Sequence, residues 1–470
     1  MWYTDTRDSS LRIDFRQAVI QGMSEKTGGL YIPTEFPELP DSFLNRPSVP
    51  TFRETAFEMA KPYTEGTIPP SVLEEIIVDA YPFDVPVKPL DPNTYVLELF
   101  HGPTCAFKDV GARFMARVMG YFNKDEDKAL HILVATSGDT GSAVGSAFHN
   151  IPGIDVTILY PKGRISHIQE KQLSTFTGNV RALSVNGSFD DCQRLVKDAF
   201  TDSDLRGRFK LSSANSINIS RLLPQAFYYM RSSLLVKNRM NYDPRHSEDL
   251  IIVTVPSGNF GNLTSGCIAK KMGAPIDGFI AATNTNCTIP LWLESGKYQP
   301  KESVATLSNA MDVGSPSNQE RLASIYSLEE IKNLMAGFWV NDAETLESIE
   351  NCSYKTGYTL DPHGAVAWRA WDEIRKGAMK NLLNGIKRQE GQTGLVNSVP
   401  AWGKKAGDGK CTGIILETAH PAKFGETVEK ALGHDPVIPE RLEKVLHLPD
   451  KSIPMEKDFR SFKEWLMENL

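Results

Sequence analysis

The chain has few of the features that mark membrane, secreted or nucleic-acid-binding proteins. It contains no apolar run long enough to cross a bilayer, and its amino terminus, MWYTDTRDSS, lacks the apolar core of a signal peptide. Its 51 Lys and Arg residues are outnumbered by 58 Asp and Glu residues, which gives a net charge of −7 without a long basic block. This balance argues against nucleic acid or an anionic membrane as the main partner. We therefore expect a cytoplasmic protein.

The sequence also lacks the spacing of a disulfide framework or a metal site. Its six cysteines are scattered without a CxxC pair: Cys105, Cys192, Cys267, Cys287, Cys352 and Cys411. His149, His167 and His363 lie in separate segments without metal-ligand spacing, so roles in the core or at helix caps are expected for them. We predict reduced thiols and no bound metal.

The order of apolar and polar segments predicts an α/β fold. At 470 residues the chain exceeds one ordinary domain. Residues 1 to about 95 are proline-rich and predict an amino-terminal lobe. After them, apolar runs of strand length such as HILVAT, DVTILY, LIIVTV and TGIILET alternate with helical stretches, which indicates mostly parallel sheets flanked by helices. Residues 386–410 are rich in glycine, serine and lysine and predict a flexible insertion.

Two loops that follow predicted strands are rich in glycine and small hydroxyl residues. ATSGDTGSAVGSA follows HILV, and VPSGNFGNLTSG follows LIIVT. Loops at the carboxyl ends of parallel strands are where such sheets bind ligands, and amides at a helix amino terminus suit a carboxylate or a phosphate. Either loop alone is more typical of a helix cap and a tight turn. Neither matches the GxGxxG or GxxxxGK[ST] patterns, so a nucleotide site is disfavoured.

Two further stretches concentrate polar side chains. In SSANSINISRLLPQ, four of them precede an apolar helical run and either converge on one oxyanion or form an elaborate helix cap: Asn215, Ser216, Asn218 and Arg221. In ILETAHPAKFGE, three follow the strand TGIILE: Thr418, His420 and Lys423. The plainer interpretation of the second stretch is a strand end broken by Pro421.

A lysine at a predicted helix start completes the set of candidates. In FHGPTCAFKDVGARFM, Lys108 stands behind a turn and among apolar residues. A helical lysine is usually a solvated charge, but in a confined apolar site its pKa falls and its amine can form a Schiff base with an aldehyde cofactor. Pyridoxal phosphate requires such a lysine, a glycine-lined phosphate cup, a partner for its ring nitrogen and a site for the substrate carboxylate. Each part has a candidate here.

The motifs HGPTCAFKD, TSGDTGSA, ANSINISRLLPQ, PSGNFGN and ETAHPAKF occur in this order. In this the chain resembles the threonine synthases, specifically their longer class with an extended amino-terminal lobe, and the resemblance includes LRIDFRQAVIQGMSEKTGGLYIPTEFP. That family belongs to the tryptophan synthase β-like enzymes of pyridoxal-phosphate fold type II. The resemblance implies the cofactor in a cleft between a smaller α/β lobe, 96–225, and a larger one, 226–470, that ends in the carboxyl-terminal helix. The amino-terminal lobe, 1–95, precedes both.

The resemblance implies residue roles for the cofactor pyridoxal 5'-phosphate. Lys108 matches the Schiff-base lysine, and Thr418 matches the hydroxyl residue that faces the pyridine nitrogen. Asp139 stands where many members of the wider fold family place an asparagine against the phenolic oxygen, which leaves the partner of that oxygen open. The loop that holds the cofactor phosphate, mostly through backbone amides, matches Ser257, Gly258, Asn259, Phe260, Gly261 and Asn262.

For the substrate, the resemblance implies O-phospho-L-homoserine. The loop that grips its α-carboxylate matches Thr136, Ser137, Gly138, Asp139, Thr140 and Gly141. The residues that face its phosphate match Asn215, Ser216 and Arg221.

The implied activity is that of a lyase. It converts O-phospho-L-homoserine and water to L-threonine and phosphate, the last step of threonine biosynthesis, with Lys108 as the base at Cα. Two alternatives remain open: a phospholyase of the same architecture that releases 2-oxobutyrate, and a non-catalytic binding protein on this scaffold, against which Lys108 argues. A monomer or homodimer without S-adenosylmethionine activation is expected.

Overall fold

A computed structural model describes residues 1–240, 249–407 and 411–470. Its strands are, in chain order, β1 (Tyr3–Asp5), β2 (Asp8–Ile13), β3 (Tyr31–Pro33), β4 (Val87–Asp91), β5 (Thr94–Glu98), β6 (Leu130–Ala135), β7 (Ile154–Pro161), β8 (Val180–Val185), β9 (Lys210–Ser213), β10 (Leu250–Pro256), β11 (Gly278–Thr283), β12 (Met335–Trp339), β13 (Gly394–Leu395), β14 (Cys411–Glu417) and β15 (Ile453–Met455).

The helices between these strands are, in chain order, α1 (Phe15–Gln21), α2 (Asp41–Leu44), α3 (Phe52–Thr64), α4 (Pro70–Ala80), α5 (Lys108–Asn123), α6 (Asp139–Phe148), α7 (His167–Ser174), α8 (Phe189–Thr201), α9 (Ser203–Arg208), α10 (Ile219–Leu222), α11 (Gln225–Arg239), α12 (Gly261–Lys271), α13 (Thr288–Ser295), α14 (Gln319–Ile325), α15 (Leu328–Leu334), α16 (Asp342–Thr356), α17 (Pro362–Arg375), α18 (Ala378–Leu383), α19 (Gly403–Gly407), α20 (Gly425–Leu432), α21 (Glu440–Leu446) and α22 (Phe459–Asn469). Two short 3-10 helices lie at Asn309–Met311 and Pro421–Phe424.

The amino-terminal part is a small antiparallel sheet, in the order β2-β1-β3, together with α1 to α4. Capping boxes at Asp14 and Thr51 start α1 and α3. Each of these side chains accepts a hydrogen bond from the amide of the third helical residue, and the side chain of that residue accepts one from the amide of the capping residue. The predicted lobe extended to about residue 95. The structure instead pairs β4 and β5 with the next sheet, β5 lying parallel to β14.

The larger sheet has seven strands in the order β13-β12-β11-β10-β14-β5-β4. The strands from β12 to β5 are parallel, and the edge strands β13 and β4 are antiparallel to their neighbours. All of β10 is buried, since Ile251 and Val253 pack with the residues of α11 and α12 while Ile252 packs with those of α17. Helices on both faces explain the continuous apolar run of this strand.

The smaller sheet has five parallel strands in the order β15-β8-β7-β6-β9. Its edge strand β15 comes from the carboxyl-terminal part of the chain, with Ile453 opposite Leu183. Phe462 and Leu466 of α22 join the apolar cluster of this sheet. The prediction had assigned the carboxyl-terminal helix to the larger lobe, but the strand before it adds to the smaller sheet and brings the helix with it.

The expected flexible insertion, 386–410, is mostly exposed up to residue 392 and packs on the protein from Leu395 onward, over the part that the structure describes. It contains β13 and α19, and Trp402 is buried with its Nε1 donating to the carbonyl of Leu334 at 3.0 Å. Residues 408–410 lie outside the described residues. The composition of the segment did not indicate this packing, because it depends on Gly278 in β11, where the absence of a side chain leaves the space that the Trp402 indole fills.

The predicted class is confirmed: the protein is α/β, with two mostly parallel sheets flanked by helices and an additional amino-terminal part. Within the described ranges, no helix is both long and apolar enough to span a bilayer. The carboxyl ends of β6, β9, β10 and β14 each lead directly into one of the polar stretches singled out in the sequence.

Candidate active site

A cavity of about 1010 Å³ lies where the carboxyl ends of the two parallel sheets face each other. Its walls include these predicted residues: Lys108, Thr136, Ser137, Asp139, Thr140, Asn215, Ser216, Arg221, Ser257, Gly258, Asn259, Phe260, Gly261, Asn262 and Thr418. Gly138 caps α6 behind the wall with φ 130°, and a Cβ there would lie 2.6 Å from the side chain of Gln169. One space therefore collects residues from all four loops and from the start of α5.

Lys108 is the first residue of α5 and faces this cavity. Its Nζ lies 5.6 Å from the ring centroid of Phe107, and among the described residues none forms an ion pair with it. Burial lowers the pKa of Lys108 to about 8. The charge of Asp139 opposes this lowering, whereas those of Arg221 and Lys423 add to it. Lys108 therefore carries a neutral amine over much more of the neutral pH range than an ordinary lysine does.

Asp139 is a buried carboxylate at the first turn of α6. Lys423 forms an ion pair with its Oδ1 at 2.7 Å, and Nε2 of Gln169 donates to the same oxygen at 2.9 Å. Burial alone would raise the pKa of Asp139. The charges of Lys423 and Lys108 and the two hydrogen bonds outweigh burial and hold this pKa well below its usual range. Asp139 is thus a fixed negative charge in the wall.

Thr136 closes the loop between β6 and α6. Its Oγ1 accepts hydrogen bonds from the amides of Gly138 at 3.0 Å and Gly141 at 2.8 Å. A Cβ on Gly141 would lie 2.5 Å from Cγ2 of Thr136, so this turn requires glycine there. Because a first helical turn has no intrahelical acceptors, the amides of residues 139 and 140 remain available for an anion.

The loop between β10 and α12 packs tightly on a neighbouring loop. A Cβ on Gly258 would lie 2.7 Å from Cα of Met311. Phe260 caps α12 in the left-handed region, with φ 60°, and is buried. Nδ2 of Asn259 donates to Oγ of Ser216 at 2.6 Å, which joins this loop to the stretch after β9. Left-handed backbone at a buried phenylalanine is strained and persists only where its surroundings enforce it.

Asn262 lies in the first turn of α12 and in the cavity wall. Its Oδ1 accepts hydrogen bonds from the hydroxyls of Tyr228 at 2.6 Å and Tyr229 at 2.7 Å. Its Nδ2 is buried and has no hydrogen-bond partner in the described part of the chain. A buried donor without a partner is costly, so its presence in a cavity wall indicates a ligand acceptor.

Arg221 is buried on α10, where its Nη1 donates to the carbonyl of Ala214 at 2.6 Å. Its Nε has no hydrogen-bond partner among the residues described. Burial lowers the pKa of Arg221 to about 10, so the guanidinium keeps its charge at neutral pH. Asn218, crowded beside it in sequence, instead caps α10 and donates to the carbonyl of Val19 at 2.8 Å. The helix-cap interpretation was therefore right for Asn218 alone.

Thr418 follows β14 and is tied to the start of α5, since the amide of Phe107 donates to its carbonyl at 2.8 Å. Behind it, Oδ2 of Asp361 accepts from the amide of Ala419 at 3.0 Å, and Oε1 of Glu417 accepts from the amide of Asp361 at 2.6 Å. These two buried carboxyl groups fix the strand end that presents Thr418.

The sequence analysis missed several residues of the wall. His363 was expected in a core or cap role, but it lines the cavity, with Nε2 accepting from the amide of Ala310 at 3.2 Å and Nδ1 hydrogen-bonded to Asp361. A loop over residues 305–315 also lines it. Lys423 was noted after the strand TGIILE, but its ion pair with Asp139 was not predicted. The polar run SNAMD within that loop was the available signal, but nothing near it in sequence pointed to a partner.

Three family models match consecutive parts of the chain. The model described as "Pyridoxal-phosphate dependent enzyme" matches residues 86–382, "Threonine synthase N terminus" matches 2–81, and "Threonine synthase, C-terminal" matches 398–465. The segments that form the cavity thus fall within the first and third of these matches.

Similar proteins cover the chain almost end to end. Threonine synthase of Haemophilus influenzae is 40% identical over 462 residues, which are 97% of either chain. The crystal structure of threonine synthase from Escherichia coli has a TM-score of 0.84 and 37% identity, covering 100% of both chains. A pyridoxal-phosphate-bound threonine synthase from Brucella melitensis has a TM-score of 0.85 and 32% identity, covering 100% of this chain and 99% of its own.

Proposed function

This chain belongs to the threonine synthase family of pyridoxal-phosphate-dependent enzymes, and from that membership we propose that it converts O-phospho-L-homoserine and water to L-threonine and phosphate. One observation carries the proposal. One cavity collects a glycine loop, an amine and a buried guanidinium, and within the described residues the amine has no ion-pair partner and the guanidinium has a donor without an acceptor. The chain also matches its relatives over nearly the whole length.

The residues of the cavity fit pyridoxal phosphate. Nδ2 of Asn262 is a buried donor that needs an acceptor, and the cradle between Gly258 and Met311 has no space for a Cβ. We propose that residues 257–262 hold the phosphate, that Lys108 binds the aldehyde carbon and that Thr418 faces the ring nitrogen. A hydroxyl there supports a neutral pyridine rather than a pyridinium.

When bound, the cofactor supplies an electron sink for negative charge that develops on the substrate carbons. The protein supplies the proton transfers. With a pKa of about 8, the amine of Lys108 is poised to accept the Cα proton near neutral pH and to return a proton later. Asp139 and Arg221, both buried and charged, fix the electrostatic potential around this amine.

We propose that the two ends of the substrate are held by different loops. The amides of the first turn of α6, residues 139 and 140, would bind the α-carboxylate at the positive end of the helix. Arg221, which lines the cavity, would bind the substrate phosphate through its guanidinium, with Asn215 and Ser216 as polar neighbours. As phosphate departs, the guanidinium stabilises its growing charge.

The protein acts on a small molecule. Its cellular location and its oligomeric state are also proposals. We propose that it works in the cytoplasm, because all six cysteines are unpaired. We also propose that it is a monomer or a homodimer, as its resemblance to the threonine synthases implies.

Product analysis tests the proposed reaction. Purified protein loaded with pyridoxal phosphate is given O-phospho-L-homoserine, and phosphate, L-threonine and 2-oxobutyrate are quantified together. Equal amounts of phosphate and threonine are expected. Phosphate accompanied by 2-oxobutyrate would identify a phospholyase, and no turnover would identify a binding protein. Lys108→Ala should abolish turnover, whereas the control Lys430→Ala removes an exposed amine and should not change it.

A further inference from the structure

Lys423 is a fully buried lysine that the proposed site does not include. It lies in the 3-10 helix Pro421–Phe424, and its Nζ makes two contacts. It pairs with Oδ1 of Asp139 at 2.7 Å and donates to the carbonyl of Thr104 at 2.9 Å. The hydroxyl of Ser166 holds its backbone carbonyl at 2.8 Å. Three separate parts of the chain therefore fix this ammonium group.

The contacts of Lys423 leave the Asp139 carboxylate in one orientation. Lys423 and Gln169 both bind Oδ1, and Oδ2 accepts no hydrogen bond from the part of the chain that the structure describes. Burying a lone carboxylate is strongly unfavourable, so Asp139 stays charged because Lys423 compensates it. Thr104, held by the same ammonium, precedes Lys108 by four residues. Lys423 thus contacts both the Asp139 carboxylate and the segment that leads into Lys108.

The charged and titratable groups near Lys108 come from several elements. Two carboxylates and two cations act on it: Asp139, Asp361, Arg221 and Lys423. Asp109, the next residue of α5, is also buried and is itself influenced by Lys423. The cavity wall further carries Arg164, Asp190, Lys301, Glu302, Asp312 and His363. Asp139 and Lys423 form an ion pair at the cavity wall in which both partners are buried, so their charges act on Lys108 with little screening.

We propose that Lys423 is a positioning residue: through its buried ion pair with Asp139 it opposes the field of that carboxylate at Lys108, and so favours the neutral Lys108 amine in the range where it must accept a proton. Without Lys423, the carboxylate of Asp139 would have Lys108 as its nearest remaining cation and would hold it protonated. Without Asp139, two uncompensated cations would press Lys108 toward the neutral form. This proposal deepens the proposed function, since it concerns the base of the same reaction.

The test is the pH dependence of Lys108 acetylation in the full-length protein freed of cofactor. Trace acetic anhydride reacts with neutral amines only, and mass spectrometry of the Lys108 peptide is normalised to that of the exposed Lys162. The pH at which acetylation of Lys108 is half-maximal is the midpoint. Lys423→Met should raise this midpoint and Asp139→Asn should lower it, each by about one pH unit. The double variant Asp139→Asn/Lys423→Met should return close to the wild type.

A purely structural role for Lys423 would lower yield or thermal stability without these opposite shifts. Unchanged midpoints, or shifts of both single variants in one direction, would overturn the proposal. If Lys423→Met does not fold, Asp139→Asn and the double variant still test it, because the amide oxygen in Asp139→Asn can still accept from the Lys423 ammonium and the double variant buries neither charge of the pair. The midpoint must then be lower in Asp139→Asn than in the double variant. Neither cofactor nor substrate is present, so the result is independent of the product analysis.

Discussion

The hydroxyl of Tyr228 donates a 2.6 Å hydrogen bond to Oδ1 of Asn262 below the cavity floor. Tyr229 donates to the same oxygen at 2.7 Å, and both tyrosines are fully buried. An amide oxygen that accepts twice also fixes the direction of its nitrogen. The tyrosine pair therefore fixes the orientation of the Asn262 side chain in the cavity wall.

Replacing both tyrosines should weaken cofactor binding. In Tyr228→Phe/Tyr229→Phe, Oδ1 of Asn262 stays buried without a donor, and the amide loses its orientation. We expect the dissociation constant for pyridoxal phosphate to rise about tenfold, or roughly 1.4 kcal/mol, in titrations of the cofactor-free protein. Tyr63→Phe is the control, because the buried Tyr63 hydroxyl has no hydrogen-bond partner within the described ranges. An equal dissociation constant in the double variant would contradict the orienting role.

The parts of the fold and site that were predicted share one cause. The loops at 136–141 and 257–262 directly follow β6 and β10, whose apolar runs are visible in the sequence. Parallel strands bring their carboxyl ends to one edge, so local sequence was enough to expect polar groups there. The position of Lys108 at a helix start was predicted separately, from the turn before it and the apolar residues around it.

What was not predicted depends on contacts between distant segments. Lys423 meets Asp139 across nearly 300 residues, and His363 reaches the cavity because Asp361 holds its ring. The addition of β15, from the carboxyl-terminal part of the chain, to the smaller sheet also depends on a contact between distant segments. Such pairings follow from the packing of the whole chain, so they cannot be predicted from the local hydrophobic periodicity or from the spacing of motifs.

Gly258 should not tolerate a side chain. In Gly258→Ala the Cβ would lie 2.7 Å from Cα of Met311 and 2.9 Å from the carbonyl oxygen of Ala310. Both are backbone atoms, so the two loops must separate, at a cost of about 1–3 kcal/mol in unfolding free energy. We expect a lower thermal midpoint and weaker binding of pyridoxal phosphate, measured by calorimetry and by titration.

The matched control for this glycine is Gly207→Ala. A Cβ there meets nothing within 4 Å, and the residue lies in α9. Alanine is the better helix former, so the stability should stay equal or rise by about 0.5–1 kcal/mol. Equal behaviour of the two variants would mean that the loop at Gly258 yields more easily than its packing indicates.

Arg221→Met should damage the use of a phosphorylated substrate. The guanidinium, with a pKa of about 10, is charged at neutral pH, and its Nε is a free donor within the described structure. Losing a charge-assisted contact to phosphate should lower kcat/KM about 100-fold, or roughly 2.7 kcal/mol. Inhibition by inorganic phosphate should weaken in parallel, while the visible absorption of bound cofactor is retained.

Arg164 serves as the comparison, because it also lines the cavity but is exposed. Its charge is screened by solvent, so Arg164→Met should change kcat/KM only a few-fold. If Arg221→Met leaves kcat/KM intact, Arg221 does not bind the substrate phosphate.

Glu417 should make the stability of the protein fall as the pH rises. This fully buried carboxyl ends β14, its Oε2 has no hydrogen-bond partner in the described chain, and Gly364 packs against it without space for a Cβ. Burial and the nearby charge of Asp361 raise the pKa of Glu417 well above its ordinary value. A group whose pKa is higher folded than unfolded stabilises most below its unfolded pKa and loses that contribution as the pH rises toward the folded value.

Glu417→Gln replaces this carboxyl with a neutral group of the same shape, so the variant lacks that loss. Each pH unit between the unfolded and folded pKa costs the wild type at most about 1.4 kcal/mol. The thermal midpoint of the variant minus that of the wild type should therefore grow between pH 5 and pH 8, because all other titrating groups cancel in the difference. Glu443→Gln removes an exposed carboxylate and should show a flat difference. If the difference in thermal midpoint between Glu417→Gln and the wild type is also independent of pH, Glu417 is already ionised in the folded protein over this range.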